Sequence, residues 1–147
     1  MIKYIACCRK STDEKDKQIM SIEQKIEELK AFADREKLEI SEFLIEAETA
    51  KVPGRPVFNS LINLIERGLI NGIISWHPDR LARNSIDGGK IIYLVDTGKL
   101  QALKFPSFWF ENTPQGKFML SITFYQEIRN YFKAVASADP TQPTHYL

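Results

Sequence analysis

Lys3-Tyr4-Ile5-Ala6-Cys7-Cys8 is a short apolar run near the start of the chain, and it ends abruptly at charged residues. A run of this length and composition predicts a strand that is buried inside a sheet. Three later segments have a similar character: Glu39 to Ile45, Gly72 to Trp76 and Leu103 to Phe105. We therefore expect four short strands.

Helical periodicity separates these strands. Ser21-Ile22-Glu23-Gln24 has the form of a capping box, and apolar residues at helical spacing follow it to about Arg35. Further helices are predicted from about Phe58 to Gly68, from Ser85 to Thr97 and from Gly116 to about Val135. Strands that alternate with helices predict an α/β fold, with a mostly parallel sheet of about four strands flanked by helices. Ligands of such sheets bind outside the carboxyl ends of the strands.

The composition is that of one ordinary globular domain. The 147 residues are 44% hydrophobic and 27% charged, which is enough to bury a core without disulfides. Cys7 and Cys8 are neighbours on a predicted strand, so they point to opposite faces and cannot readily bridge each other. Residues 136–147 have no periodicity and contain two prolines, which predicts a disordered tail after a single domain over residues 1–135.

The expected location is a reducing cytoplasm, away from membranes. No apolar stretch approaches the roughly 20 residues that span a bilayer, and the N-terminus lacks the apolar core of a signal peptide. Net charge is only +1, which argues against a protein that coats nucleic acid by bulk attraction. The charge is uneven, however: residues 11–51 have a net charge of −5, and the rest of the chain has a net charge of +6. A polyanion should therefore bind the residues outside 11–51.

Arginines follow three of the predicted strands. Arg9-Lys10-Ser11 comes directly after the first strand, Asp79-Arg80-Leu81-Ala82-Arg83 follows the third, and Arg55 lies in a Pro/Gly loop after the second. Each cluster alone is more often a set of solvated turn residues than a site. Together, a serine and several arginines at one sheet edge indicate phosphoryl transfer by charge stabilisation.

The sequence gives no support for a metal ion or a nucleotide cofactor. The acidic residues between Asp13 and Asp16 are interleaved with a lysine, which favours a solvated loop over a cation site. His77 and His145 do not have a zinc-binding spacing, and the glycines match neither a Walker loop nor a dinucleotide fingerprint. We therefore expect no cofactor.

Four motifs, taken in order, resemble the resolvase/invertase family of serine recombinases, and most of all the large serine recombinases. They are Arg9-Lys10-Ser11, Gly54-Arg55-Pro56, Asp79-Arg80-Leu81-Ala82-Arg83-Asn84 and Pro114-Gln115-Gly116-Lys117-Phe118-Met119-Leu120. The resemblance covers roughly residues 2–126, and the ordered set is specific although any one motif is weak. It implies the catalytic domain of a site-specific DNA recombinase, which cuts both strands, exchanges them within a tetramer and rejoins them without ATP or metal.

The resemblance also implies which residues act on the phosphate. Ser11 would attack a DNA phosphodiester, forming a 5′-phosphoserine link and releasing a 3′-hydroxyl. Arg9, Arg80 and Arg83 would bind the scissile phosphate and stabilise its extra negative charge. Arg55 would approach the phosphate from a mobile loop.

Other matching residues would support the reaction. Asp79 would handle or orient protons at the hydroxyls, and Gln18 would help to position the site. The last helix resembles a long helix that forms dimer and tetramer contacts and reaches towards the DNA minor groove. Lys117, Arg129 and Lys133 on or beyond that helix are our candidates for DNA contacts.

The chain departs from the family pattern at several places. Cys7 stands where the family usually has a tyrosine, and Lys25 stands where it has a glutamine, with Gln24 one place early. Past Gln126 the pattern fades, and no zinc ribbon or helix-turn-helix follows. The chain therefore resembles a catalytic domain whose DNA-reading domains are missing or supplied elsewhere, and we expect weak DNA binding without sequence preference.

Three other interpretations stay open. The chain could be an inactive fragment that serves at most as an interaction partner, or an enzyme that nicks DNA without strand exchange. A flavodoxin-like or receiver-type binding module fits the predicted fold, but not the arginines at the strand ends. In every case, an apolar side on the last helix, formed by Phe118, Met119, Ile122 and Phe132, predicts self-association.

Overall fold

The computed structural model describes residues 1–10, 21–47 and 53–124 of the chain. Within these ranges, four strands form one sheet in the order β2-β1-β3-β4. The strands are β1 (Tyr4–Arg9), β2 (Ile40–Glu46), β3 (Gly72–Ser75) and β4 (Ala102–Lys104). All three pairings are parallel, which confirms the predicted sheet.

Five helices accompany the strands in the described ranges. They are α1 (Ile22–Glu36), α2 (Pro56–Glu66), α3 (Pro78–Leu81), α4 (Ser85–Asp96) and α5 (Pro114–Phe124). The sequence predicted four of them and placed only a turn where the one-turn helix α3 lies, because four residues are too few to show helical periodicity. None of the helices in these ranges is long and apolar enough to cross a membrane.

The predicted capping box of α1 is confirmed. The Ser21 hydroxyl accepts a hydrogen bond from the backbone N–H of Gln24 at 3.3 Å, and the Gln24 side chain accepts one from the N–H of Ser21 at 3.1 Å. These two bonds satisfy N–H groups that have no partner inside the helix. The start of α1 is therefore fixed by its own sequence.

The sheet is covered on both faces. Because side chains alternate along a strand, Tyr4, Ala6 and Cys8 of β1 pack on the α1 side, with Leu29 and Ala33 of that helix. The opposite face carries the larger core, formed with the buried sides of α2, α4 and α5. Its contributors from these helices include Phe58, Leu61, Ile65, Ile91, Leu94, Leu120 and Phe124.

Helix α5 packs against α4 at a glycine. A Cβ atom added to Gly88 would lie only 2.7 Å from the Cβ of Phe124, so the two helices approach more closely than any other residue would allow. The other side of α5 leaves Phe118, Met119 and Ile122 exposed, by 64%, 53% and 38%. The uncovered apolar side predicted for this helix is therefore present over the part of α5 that is described.

Some predictions concern residues outside the described ranges. These are the placements of Ser11, Gln18, Arg129 and Lys133, the apolar contribution of Phe132, and the disordered tail over residues 136–147. They stay predictions from the sequence.

Candidate active site

The carboxyl ends of β1 and β3 form the edge where the candidate residues meet. The two strands are parallel neighbours, with Cys7 opposite Ser75, so both chains leave the sheet on the same side. Strand β1 ends at Arg9, two residues before Ser11 in the sequence. Strand β3 leads into α3, which carries Arg80. The topology thus brings Arg9 of the first sequence cluster and Arg80 of the third to the same edge of the sheet.

The arginines at this edge influence one another's charge. Burial lowers the pKa of the Arg9 guanidinium below its ordinary value, and the charges of Arg80 and Arg83 lower it further, while Asp79 opposes them. The Nε of Arg9 is buried and has no hydrogen-bond partner among the residues that the structure describes. Because like charges held together repel one another, a bound anion would be stabilised by all of them.

Lys25 joins this group, and sequence reasoning missed it as a site residue. Its ammonium donates a hydrogen bond to the carbonyl oxygen of Arg9 at 2.9 Å. Burial, then the charges of Arg80 and Arg9, lower the pKa of Lys25, and the Cys8 thiol opposes them. The only hint in the sequence was the departure from the family glutamine. We call Arg9, Lys25, Arg80 and Arg83 the cationic cluster.

A histidine and a proline shape the turn that presents Arg80. His77 caps α3, since its Nδ1 accepts the backbone N–H of Asp79 at 3.2 Å, and Pro78 occupies the first helical position. The Asp79 carboxylate lies 2.9 Å from the same Nδ1 and 3.9 Å from Nε of Arg80. Asp79 therefore lies beside Arg80, and a role for it in proton transfer stays a prediction.

Arg55 has a setting different from the expected mobile loop. It lies directly before α2, is only 3% exposed, and its Nη2 donates to the Leu81 carbonyl at 2.8 Å and to the Asp87 carboxylate at 3.0 Å. The Phe58 ring lies 4.4 Å from the guanidinium carbon. The physical reason for the burial is this set of partners, which replaces the water that the charge loses. A catalytic role for Arg55 stays a prediction.

Asp87 is a second residue that sequence reasoning missed. The Asn84 side chain caps α4 by accepting the Asp87 N–H at 2.9 Å, and its amide nitrogen donates to the Asp87 carboxylate, also at 2.9 Å. An acidic residue in the first turn of a helix is ordinary, so the sequence carried no signal for its complete burial. With Arg55, it braces the segment that connects α3 to α4 and contains Arg83.

A narrow cleft lies beside the cationic cluster. Cys7, Cys8, Glu46, Arg55 and Arg80 contribute to its lining. The buried Glu46 carboxylate accepts the backbone N–H of Phe58 at 3.0 Å and so holds the start of α2. Burial raises the pKa of Cys7 to about 12 and that of Cys8 to about 11, so both thiols are protonated at neutral pH.

An anion suits these side chains better than a cation does. Three guanidinium groups and one ammonium group make up the cationic cluster, and guanidinium groups are well suited to bind the oxygens of a phosphate. Among the described residues, no group of three or more His, Cys, Asp or Glu side chains is arranged to hold a metal ion.

The protein family follows from a match along most of the chain. The family model described as Resolvase, N terminal domain, matches residues 4–130. The chain belongs to this family. It is the catalytic domain of a DNA recombinase, as the sequence motifs predicted. No curated protein sequence matches this resolvase domain.

Solved structures confirm the fold of the resolvase domain. The N-terminal catalytic domain of TP901-1 integrase is 22% identical over 91% of this chain and 98% of its own, with a TM-score of 0.64. A resolvase family site-specific recombinase from Streptococcus pneumoniae is 20% identical over 92% and 94%, with a TM-score of 0.59. The C-terminal catalytic domain of ISC1926 TnpA, an IS607-like serine recombinase, is 18% identical over 92% and 86%, with a TM-score of 0.54.

One candidate DNA contact in the resolvase domain has a partner of its own. Lys117 on α5 donates to the Asp96 carboxylate at 2.7 Å, at the end of α4. This ion pair is partly exposed, so it costs little to exchange for a phosphate. DNA binding by Lys117 stays a prediction.

Proposed function

We propose that this resolvase domain cuts and rejoins DNA through a covalent phosphoserine bond that Ser11 forms. One observation carries the proposal: β1, which ends at Arg9 two residues before Ser11, pairs in parallel with β3, which leads directly into the helix that carries Arg80. A serine two residues after an arginine at this edge, together with further guanidinium groups, suits attack on a phosphodiester.

The proposed cutting step is a transesterification. The Ser11 oxygen bonds to phosphorus as the bond from phosphorus to the 3′-oxygen breaks, which leaves a 5′-phosphoserine and a free 3′-hydroxyl. The proton lost by the serine hydroxyl is balanced by the proton that the 3′-oxygen gains. Rejoining is the reverse attack by a 3′-hydroxyl. Each step exchanges one phosphate ester for another, so no separate energy source is required.

The cationic cluster would stabilise the transition state. Negative charge grows on the non-bridging oxygens while phosphorus is five-coordinate, and Arg9, Arg80 and Arg83 offer planar forks that match those oxygens. Helix α3 and the braced segment after it hold Arg80 and Arg83 before DNA binds. Donors that are already in place need no rearrangement during the reaction, which is why fixed charges are effective catalysts.

Asp79 and Arg55 would have supporting roles. The Asp79 carboxylate, beside Arg80 and His77, is suited to orient or move a proton at the serine or at the 3′-oxygen. Arg55 donates to the Leu81 carbonyl between Arg80 and Arg83, so we assign it the positioning of that turn. Gln18 keeps its proposed place as a polar residue of the site.

The partners of the domain are DNA and further copies of the chain. Members of the family act on DNA, and we propose a dimer that becomes a tetramer in the active complex. The exposed Phe118, Met119 and Ile122 on α5 support self-association. The proposed DNA contacts are Lys117, Arg129 and Lys133. The free thiols of Cys7 and Cys8 are consistent with action in a reducing cytoplasm.

Trapping the covalent intermediate tests the proposal. A nicked suicide DNA substrate, whose released end diffuses away, should accumulate protein-linked DNA on a denaturing gel. Ser11→Ala should abolish the adduct, and Ser60→Ala, which changes an exposed serine on α2, should not. Acid hydrolysis of the adduct should release phosphoserine. Equal adduct formation by wild type and Ser11→Ala would show that another residue is the nucleophile, and the absence of any wild-type adduct would overturn the proposed chemistry.

A further inference from the structure

The peptide group that joins Arg9 to Lys10 is held from two sides. Its carbonyl oxygen, which belongs to Arg9, accepts the hydrogen bond from Lys25 Nζ at 2.9 Å. Its N–H, which belongs to Lys10, donates to the backbone oxygen of Glu46 at 2.8 Å. Helix α1 and strand β2 therefore fix the Arg9–Lys10 peptide, which comes one peptide earlier than the link from Lys10 to Ser11.

Lys25 is well placed to act as an anchor. It lies in the first turn of α1, close to the capping box, and α1 is fixed on the sheet by the buried side chains of Leu29 and Ala33. The lysine ammonium is only partly exposed and faces the positive charges of Arg9 and Arg80. A carbonyl oxygen is the kind of partner that offsets such a repulsion, because its dipole presents negative charge to the ammonium.

We propose that Lys25 is a positioning residue for the nucleophile. Its ammonium holds the carbonyl of Arg9, which precedes Ser11 by two residues. This inference rests on the proposed role of Ser11. A nucleophile that is displaced by about 1 Å can lose about 100-fold in rate, so an anchor two residues away has a large effect on the chemical step.

The alternative role for Lys25 is that of a simple positive charge that attracts DNA. The two roles differ in which chemical property matters. Positioning needs a hydrogen-bond donor at this place, whereas attraction needs a net charge. Lys25→Met removes both properties, Lys25→Gln keeps a donor without charge, and Lys25→Arg keeps both. Lys30→Met is the matched control, since it removes an exposed charge from the same helix.

Single-turnover kinetics separates the two roles. At saturating suicide substrate, we expect Lys25→Met to form the covalent adduct about 10- to 100-fold more slowly, with Lys25→Arg near wild type and Lys25→Gln in between. Lys30→Met should match wild type, and thermal unfolding should show that all four variants fold. If Lys25→Met reacts at the wild-type rate, or if it loses only DNA affinity together with Lys25→Gln, the anchor is disproved.

A second measurement needs no DNA and no activity. Amide hydrogen exchange at Lys10 reports on the bond from its N–H to Glu46, on the other side of the same peptide. We expect faster exchange in Lys25→Met than in Lys25→Arg or the control, and equal exchange in all of them would overturn the inference. Absence of a wild-type adduct would overturn the role of Ser11, whereas exchange at Lys10 would still decide whether Lys25 holds the peptide.

Discussion

Arg55 forms an ion pair with Asp87 at 3.0 Å in the protein interior, where the two side chains are 3% and 0% exposed. Each charge has lost its water and depends on the other and on nearby dipoles. The pair joins the start of α2 to the start of α4, and the bond from Arg55 to Leu81 adds the end of α3. The position of the turn that carries Arg80 therefore depends on the buried Arg55–Asp87 ion pair.

Breaking this pair should destabilise the fold. We expect Asp87→Ala or Arg55→Ala to lower the free energy of unfolding by about 3 to 5 kcal/mol, because each leaves an uncompensated buried charge. The double variant should lose less than the sum of the two single losses. Urea unfolding gives the free energy of unfolding of the two single variants and of the double variant.

An exposed pair is the control for that prediction. Glu27 and Lys30 are 3.7 Å apart on α1, and their side chains are 74% and 53% exposed. Glu27→Ala should change the free energy of unfolding by less than about 1 kcal/mol. A similarly small effect of Asp87→Ala would show that the Arg55 pair is not the brace we describe.

The arginines of α3 and its exit should be needed for chemistry rather than for stability. We expect Arg80→Ala and Arg83→Ala each to lower the rate of adduct formation by about 100- to 1000-fold, since each removes a fixed donor to the transition state. Arg67→Ala is the control. It removes an exposed charge at the C-terminal end of α2, away from Arg55 at the N-terminal end, and should have little effect on the rate of adduct formation. Thermal unfolding midpoints near wild type for all three would separate lost catalysis from lost folding.

Two adjacent glycines in α4 should respond in opposite ways. An added Cβ at Gly89 meets nothing within 4 Å, so Gly89→Ala should stabilise the helix by about 0.5 to 1 kcal/mol. The same change at Gly88 gains that propensity but forces the new carbon against Phe124, which costs about 1 to 3 kcal/mol. Thermal unfolding compares the stability of Gly88→Ala with that of Gly89→Ala. Equal stabilisation by both variants would contradict the close packing of α5 on α4.

The thiols of β1 should react slowly in the folded protein. Because burial raises the pKa of Cys7 to about 12 and that of Cys8 to about 11, little thiolate is present at pH 8. Alkylation by iodoacetamide should accelerate strongly when urea unfolds the chain. Rapid reaction of the native protein would contradict the raised pKa values of these thiols.

The same thiols affect stability at alkaline pH. A group whose pKa is raised by folding contributes fully below its unfolded pKa, about 8.5 for a thiol, and loses that contribution as pH rises towards the folded value. We measure the free energy of unfolding of wild type and of Cys7→Ala as a function of pH. The difference, wild type minus variant, should decrease as the pH rises above about 8.5. A flat difference would show that Cys7 ionises as easily in the folded chain as in the unfolded one.

The sequence was sufficient to predict the sheet and to predict that Arg9 and Arg80 lie at the same edge of it. Short apolar runs specify buried strands, and parallel strands place Arg9 and Arg80 on one side without further information. The capping box at Ser21 is likewise local, since both of its hydrogen bonds join residues within one turn.

The residues that sequence reasoning missed depend on contacts between distant segments. Lys25 reaches Arg9 only because α1 lies on β1 in one particular register, and helical periodicity does not encode that register. Asp87 is buried because Arg55, which is far away in the sequence, supplies its counter-ion. A carboxylate at a helix start is solvated in most proteins, so its burial here could be found only from the assembled structure.

The cations of the site come from three separate parts of the chain, the end of β1, the start of α1 and the turn after β3. No one of these segments holds the cationic cluster, and β3 must lie against β1 before Arg80 comes near Arg9. Under the proposed roles of Arg9 and Arg80, a nascent chain that has not yet completed its sheet lacks an assembled phosphate-binding site. The proposed cutting site is therefore assembled in the same cooperative step that buries the core.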